Sequence, residues 1–122
     1  MQPEEKKNFL EKVYPFNLLT EQEKDLLVHN SGLSTFNSED VLLKQGELTH
    51  QALYLIVSGK VKIEVSDKQG ITRIVVYRHP YDFFGETGIF DQIEYPASVK
   101  AVQETLCLTL PEEIFNNVSI FI

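Results

Sequence analysis

The chain has one cysteine, no tryptophan and only two arginines, Arg73 and Arg78, in 122 residues. A single cysteine, Cys107, excludes an internal disulfide and a cysteine-rich zinc site. Within "TLCLTLP" it reads as a small buried hydrophobe rather than a nucleophile. Scarce arginine and a formal net charge of -7 leave no basic face to neutralise phosphates along DNA. The acidity is read as serving solubility. No apolar run approaches the ~20 residues needed to span a bilayer. The opening "MQPEEKKNF" also lacks the apolar core of a signal peptide. The expectation is a cytoplasmic chain that contacts neither nucleic acid nor membrane through this domain.

Catalytic and metal-binding constellations are missing as well. His29, His50 and His79 form no His-x-His pair, and no carboxylates sit at ligand spacing beside them. Ser58, Ser66 and Ser98 have no adjacent histidine to activate them. Gly59 precedes Lys60 without the glycine-rich run of a phosphate loop. The aromatics Tyr81, Phe83, Phe84 and Phe90 read as core. No enzyme and no metal site is expected.

What remains is an ordinary globular mix, 43% hydrophobic and 24% charged, long enough for one core. "EEKKNFLEKV" places Phe9, Leu10 and Val13 at helical spacing before Pro15. Thr20 and Glu23 form a capping box that starts a second helix, with Leu26 and Leu27 facing inward and Gly32 as the stop. From Leu33 the period changes to two. "KVKIEVS" alternates Val61, Ile63 and Val65 against Lys60, Lys62 and Glu64. The loop 67–70 turns that strand into "ITRIVVYR", and "SVKAVQ" and "TLCLTLP" add two more. Pro111 and two glutamates suit the first turn of a terminal helix.

Seven or eight short strands with frequent turns predict a mainly β double-stranded β-helix, or jelly roll. It carries two N-terminal helices, a short inserted helix and a C-terminal helix. The expected organisation is one unit over residues 1–122: a helical part at 4–31, a barrel at 33–110 and a helix at 111–122. The apolar ending "SIFI" suggests the N-terminal piece of something longer.

"SGKVKIEV", "YDFFGETGIF" and "PASVKA", in that order, resemble the cyclic nucleotide-binding domain family over about residues 14–118. That family includes the sensing halves of catabolite-activator-type regulators and the regulatory subunits of cyclic-AMP-dependent kinase. The resemblance makes "FGE" the opening of a phosphate-binding cassette. Gly85 permits close backbone approach, and the turn after it points free N–H groups outward, an arrangement that favours an anion. It implies a ligand site of Phe84, Gly85, Glu86, Thr87, Tyr95, Pro96, Ala97 and Ser98. Ile63 and Val75 would lie against a base, Glu86 would accept from a ribose hydroxyl, and Ser98 would reach the phosphate or base. The implied ligand is cyclic AMP, cyclic GMP or another small anion. Seated there, it would move the Glu86–Phe90 turn and reposition the terminal helix.

One departure stands out. The family's arginine, which pairs with the cyclic phosphate, falls at Tyr95 in an ungapped comparison, or at Pro96 after sliding by one. Neither carries charge, and Pro96 has no N–H to offer. Lys100, on the same strand face as Ser98, is a candidate replacement, with Arg73 and Arg78 more remote. Two readings stand: a sensor with weak or altered cyclic-nucleotide binding, and a degenerate sensor kept as a dimerisation or docking module. The implied partners are a small molecule, a second copy of the chain, or an attached output domain. The sequence leaves open whether Tyr95 folds inward and fills the anion's place.

Overall fold

The computed structural model describes residues 1–48, 52–86 and 94–117. Helix α1 spans Pro3–Leu10 and helix α2 spans Glu21–His29, with a 3-10 turn at Phe16–Leu18 between them. Pro3 at the first helical position gives up an N–H that would have no partner anyway. The capping box forms in α2: the Glu23 N–H donates to Thr20 Oγ1 at 3.1 Å, and the Thr20 N–H donates to Glu23 Oε1 at 3.0 Å. Asn30, not Gly32, ends this helix; its Nδ2 donates to the Leu26 carbonyl at 2.8 Å. Gly32 opens the first strand instead. Leu27 and Val28 are buried, and Leu26 is only half so. Lys7 clamps the two helices, reaching Glu21 at 2.7 Å and Asp25 at 2.9 Å.

Eight strands follow among the described residues. They are β1 (Gly32–Phe36), β2 (Val41–Leu43), β3 (Ala52–Ser58), β4 (Val61–Ser66), β5 (Thr72–Arg78), β6 (Phe83–Phe84), β7 (Ser98–Ala101) and β8 (Thr105–Pro111). They make two antiparallel sheets, ordered β1-β8-β3-β6 and β2-β7-β4-β5. Consecutive strands repeatedly change sheets, which is the jelly-roll arrangement.

Alternation along β3 divides the core. Leu53 and Leu55 face the helices and join Phe9, Leu10, Phe16 and Leu27. Tyr54 and Ile56 face the space between the sheets, with Val61, Phe84, Tyr95, Val99 and Cys107. Both faces of the first sheet are therefore covered, and each fully buried Leu or Phe contributes about 1.5–3 kcal/mol.

Two further expectations are corrected. The terminal segment is a 3-10 helix at Glu112–Asn117, because Pro111 still belongs to β8; residues 118–122 lie outside the described residues. Val75 is 63% exposed and so does not face the interior. The cause is a β-bulge: Ile63 pairs with Val76 and Glu64 with Ile74, so Val75 is the extra residue of an edge strand.

Candidate functional site

β6 and β7 belong to different sheets, so the chain between Phe84 and Ser98 crosses from one to the other. Its beginning is fixed at β3, where Tyr54 pairs with Phe84 and Leu55 with Phe83. Phe83 packs on the helical side and Phe84 on the barrel side. Gly85 has φ +95°, a conformation that L side chains rarely adopt. A Cβ there would meet the Ala52 carbonyl at 2.8 Å and the Tyr54 ring at 3.2 Å. Glycine is required both by backbone angle and by space. Glu86 follows, half-buried. Thr87, the amides of the turn and the expected inserted helix lie within 87–93, outside the described residues.

The end of the crossing is fixed as firmly. The Tyr95 N–H donates to the Glu47 carbonyl, and the Gly46 N–H donates to the Tyr95 carbonyl, both at 3.0 Å. These two bonds hold Tyr95 against the loop after β2, with its side chain in the barrel core and only 3% exposed. Pro96 is exposed, and Ala97 and Ser98 are half-buried.

These two ends enclose a cavity of about 150 Å³ between the sheets. Buried Leu43, Phe84, Tyr95 and Val99 form its floor, and Ile63 stands at its side. Gly85, Glu86, Pro96 and Ala97 form the rim. Of its described lining residues, Glu86 alone carries a formal charge. Six of the residues expected at the site therefore come together: Phe84, Gly85, Glu86, Tyr95, Pro96 and Ala97.

Ser98 does not join them. Its Oγ accepts the Gln45 N–H at 2.9 Å and lines a second, larger groove of about 610 Å³. That groove lies on the outer face of the β2-β7-β4-β5 sheet, opposite the barrel interior, because Ser98 and Val99 point in opposite directions along β7. Lys100 is on the same outer face, as alternation requires. Its Nζ lies 2.7 Å from Glu64 Oε1, and Lys62 lies 3.8 Å from the same carboxylate. Lys100 does not line the cassette cavity, and neither Arg73 nor Arg78 does.

Sequence reasoning missed Tyr54 and Glu64. Tyr54 stacks on Phe84, and burial, with Tyr95 and Cys107 close by, pushes its hydroxyl pKa up. Its position between Leu53 and Leu55 was the available signal, since alternation sends it to the barrel interior. Glu64 is 6% exposed and neutralised by lysines from two strands. Nothing in the local sequence distinguishes it from an exposed charge. Among the described residues no group of His, Cys, Asp and Glu is arranged to hold a metal, and no helix is long and apolar enough to cross a membrane.

Known proteins share this fold. The Cyclic AMP receptor protein of Thermus thermophilus is 34% identical over 98 residues, covering 80% of this chain and 45% of that protein. The regulatory domain of Toxoplasma gondii protein kinase A, solved with cyclic AMP, superposes with a TM-score of 0.88 at 19% identity, covering 94% of this chain and 44% of that one. The regulatory subunit of a cAMP-independent protein kinase A from Trypanosoma cruzi, solved with guanosine, gives a TM-score of 0.86 at 23% identity, covering 94% of this chain and 41% of that one. The chain spans less than half the length of the curated relatives it matches. The pattern of the cyclic nucleotide-binding domain matches residues 33–119, from the first strand through the cassette to the last 3-10 helix. With barrel, cassette glycine and domain pattern in agreement, the chain belongs to the cyclic nucleotide-binding domain family.

Proposed function

We propose that this chain is a non-catalytic, ligand-sensing regulatory domain whose cassette holds a cyclic phosphate weakly. Tyr95 carries the reading. It occupies the wall of the cavity where the family pattern calls for an arginine, and its backbone is fixed there by two hydrogen bonds. A hydrogen bond to a charged group contributes about 1.5–3 kcal/mol, and a guanidinium makes two. Their loss weakens cyclic-phosphate binding by at least ~10–100-fold. Pro96 removes a further N–H from the same corner. The retained Gly85 and Glu86 favour a ligand of some kind, and the relatives solved with cyclic AMP and with guanosine support a nucleotide or nucleoside in this fold. Ligand binding would shift the population of the cassette turn and of the segment after β8, and through them an attached output domain.

A second reading, a docking or dimerisation module without ligand, is favoured by a different observation. The edge strand β5 and the turn before it expose Ile71 at 60%, Ile74 at 48%, Val75 at 63% and Tyr77 at 40%. An apolar, uncovered edge is a surface that natural proteins usually protect.

A thermal-melt screen with cyclic AMP, cyclic GMP, cyclic dinucleotides and simple anions tests the first reading. A ligand at 100 times its Kd stabilises by about 2.7 kcal/mol, several degrees for a domain of this size. A small shift, present only at millimolar cyclic nucleotide, is expected. A micromolar Kd for cyclic AMP would refute weak phosphate binding.

A further inference from the structure

We propose that the outer face of the β2-β7-β4-β5 sheet docks an acidic segment of a protein partner, lying extended across the strands. This face is separate from the cassette and serves a ligand sensor or a docking module alike. Strand register builds it. Val41 pairs with Lys100, Lys100 with Lys62, and Lys62 with Tyr77. Directly paired residues point to the same face, so the four form one row across all four strands: apolar, basic, basic, apolar. Val41 and Tyr77 are both exposed, and neither belongs to the two core clusters. Ile74, exposed and paired with Glu64, extends the apolar end on β5.

Charge selects the partner. Glu64 lies buried beside the row, with Lys100 at 2.7 Å and Lys62 at 3.8 Å. An ammonium has three donors, so both lysines keep N–H groups to offer a second carboxylate arriving from outside. Lys60 adds a third cation, 4.4 Å over the Tyr77 ring. Three lysines against one carboxylate make this row positive in a chain of formal net charge -7. Asp40 and Asp67, just beyond the ends of β2 and β4, are turned into their own loops. Asp40 accepts the Asn37 N–H, and Asp67 accepts those of Gln69 and Ile71. Lys44 and Glu47 both line the adjoining groove and offset each other. The face therefore attracts an acidic partner, whereas a second copy of this acidic chain is repelled as a whole.

Spacing sets the form of the segment. Neighbouring strands lie about 4.8 Å apart, so about 14 Å separates the Val41 and Tyr77 ends of the row. An extended chain rises about 3.3 Å per residue and turns alternate side chains to one face. Five residues cover the span, the first and fifth over Val41 and Tyr77 and the third over the two lysines. The pattern is apolar-x-acid-x-apolar.

Fluorescence anisotropy of the whole chain with the labelled peptide Gly-Asp-Leu-Ser-Glu-Ser-Phe-Asp-Gly tests this. It is expected to bind ~10-fold or more tightly than the same peptide with lysine at the central glutamate, and to weaken several-fold between about 50 and about 300 mM salt. Lys62→Gln and Tyr77→Ser should each weaken binding several-fold while melting within a few degrees of wild type, since Lys100 still neutralises Glu64 and Tyr77 is exposed. No binding, equal binding of the two peptides, or equal affinity in wild type and both variants would overturn the proposal. Tighter binding to phosphatidylserine vesicles than to the peptide would overturn it in favour of a membrane surface. Dimerisation lost in Tyr77→Ser would overturn it in favour of a second copy. The cassette takes no part in these measurements, so none of these outcomes touches the ligand-sensing reading.

Discussion

Tyr54 lies flat against Phe84, with ring centroids 5.2 Å apart and planes 5° from parallel. The same Tyr54 ring comes within 3.2 Å of where a Gly85 Cβ would sit. One strand pair thus sets both the cavity floor and the cassette glycine. Phe84→Ala removes the stack and a side chain only 2% exposed. Such truncations lower stability by about 3–5 kcal/mol. Urea titration should show a lower midpoint with an unchanged slope. A loss under ~1 kcal/mol would mean that the floor is held by something other than this pair.

Tyr95→Arg places a guanidinium in a buried wall. Without a partner anion that charge is strongly disfavoured, so the ligand-free variant should melt below wild type. Cyclic AMP should restore part of the loss, because the cyclic phosphate supplies the missing partner. The check is a pair of melts, with and without millimolar cyclic AMP, on both proteins. Equal shifts in variant and wild type would place the weakness at Pro96 or elsewhere in the cassette.

The barrel was legible because its signals are local. The Thr20–Glu23 capping box and the glycine before Glu86 each act over a few residues, and each appears as expected; the strand over Val61–Ser66 forms as well, but Glu64 on its outward face is buried while Ile63 and Val65 are only half so. The bulge that exposes Val75 was not legible, since it depends on the register between β4 and β5 and no residue type marks it. Ser98 was misjudged for a related reason. The resemblance brought it to the site, whereas strict alternation with buried Val99 sends it to the outer face. The inward position of Tyr95 depends on the backbone bonds to Gly46 and Glu47, some fifty residues earlier in the chain, a contact that local pattern cannot reveal.

Gly59 tests how tightly the β3–β4 turn is built. Its φ is +97°, and an added Cβ would lie 2.5 Å from both the Glu104 carbonyl and Thr105 Oγ1. Gly70 has φ +84° but open space around it. Gly70→Ala should therefore cost about 1 kcal/mol from backbone strain alone. Gly59→Ala should add about 1–3 kcal/mol for the clash. Chemical denaturation of the two variants side by side checks the difference. Equal losses would show that the turn relaxes around the methyl group.

Cys107 provides a test of the core through pH. It is fully buried between the sheets, and burial pushes its thiol up to about 12 from an ordinary value of 9.0. The native thiol should resist Ellman's reagent at pH 8 and react at once in urea. The sign of the stability effect follows from proton counts. Above about pH 9 the unfolded thiol releases its proton while the folded one keeps it, so the unfolded state binds fewer protons and stability falls as pH rises. This contribution is complete below about pH 9 and is lost progressively toward about pH 12. Tyr54, raised in the same direction, adds to the decline. Denaturation midpoints followed from pH 8 upward should drop more steeply in wild type than in Cys107→Ala, which has no thiol to titrate. Matching slopes, or a native thiol that labels as fast as the unfolded one, would mean that water reaches the space between the sheets.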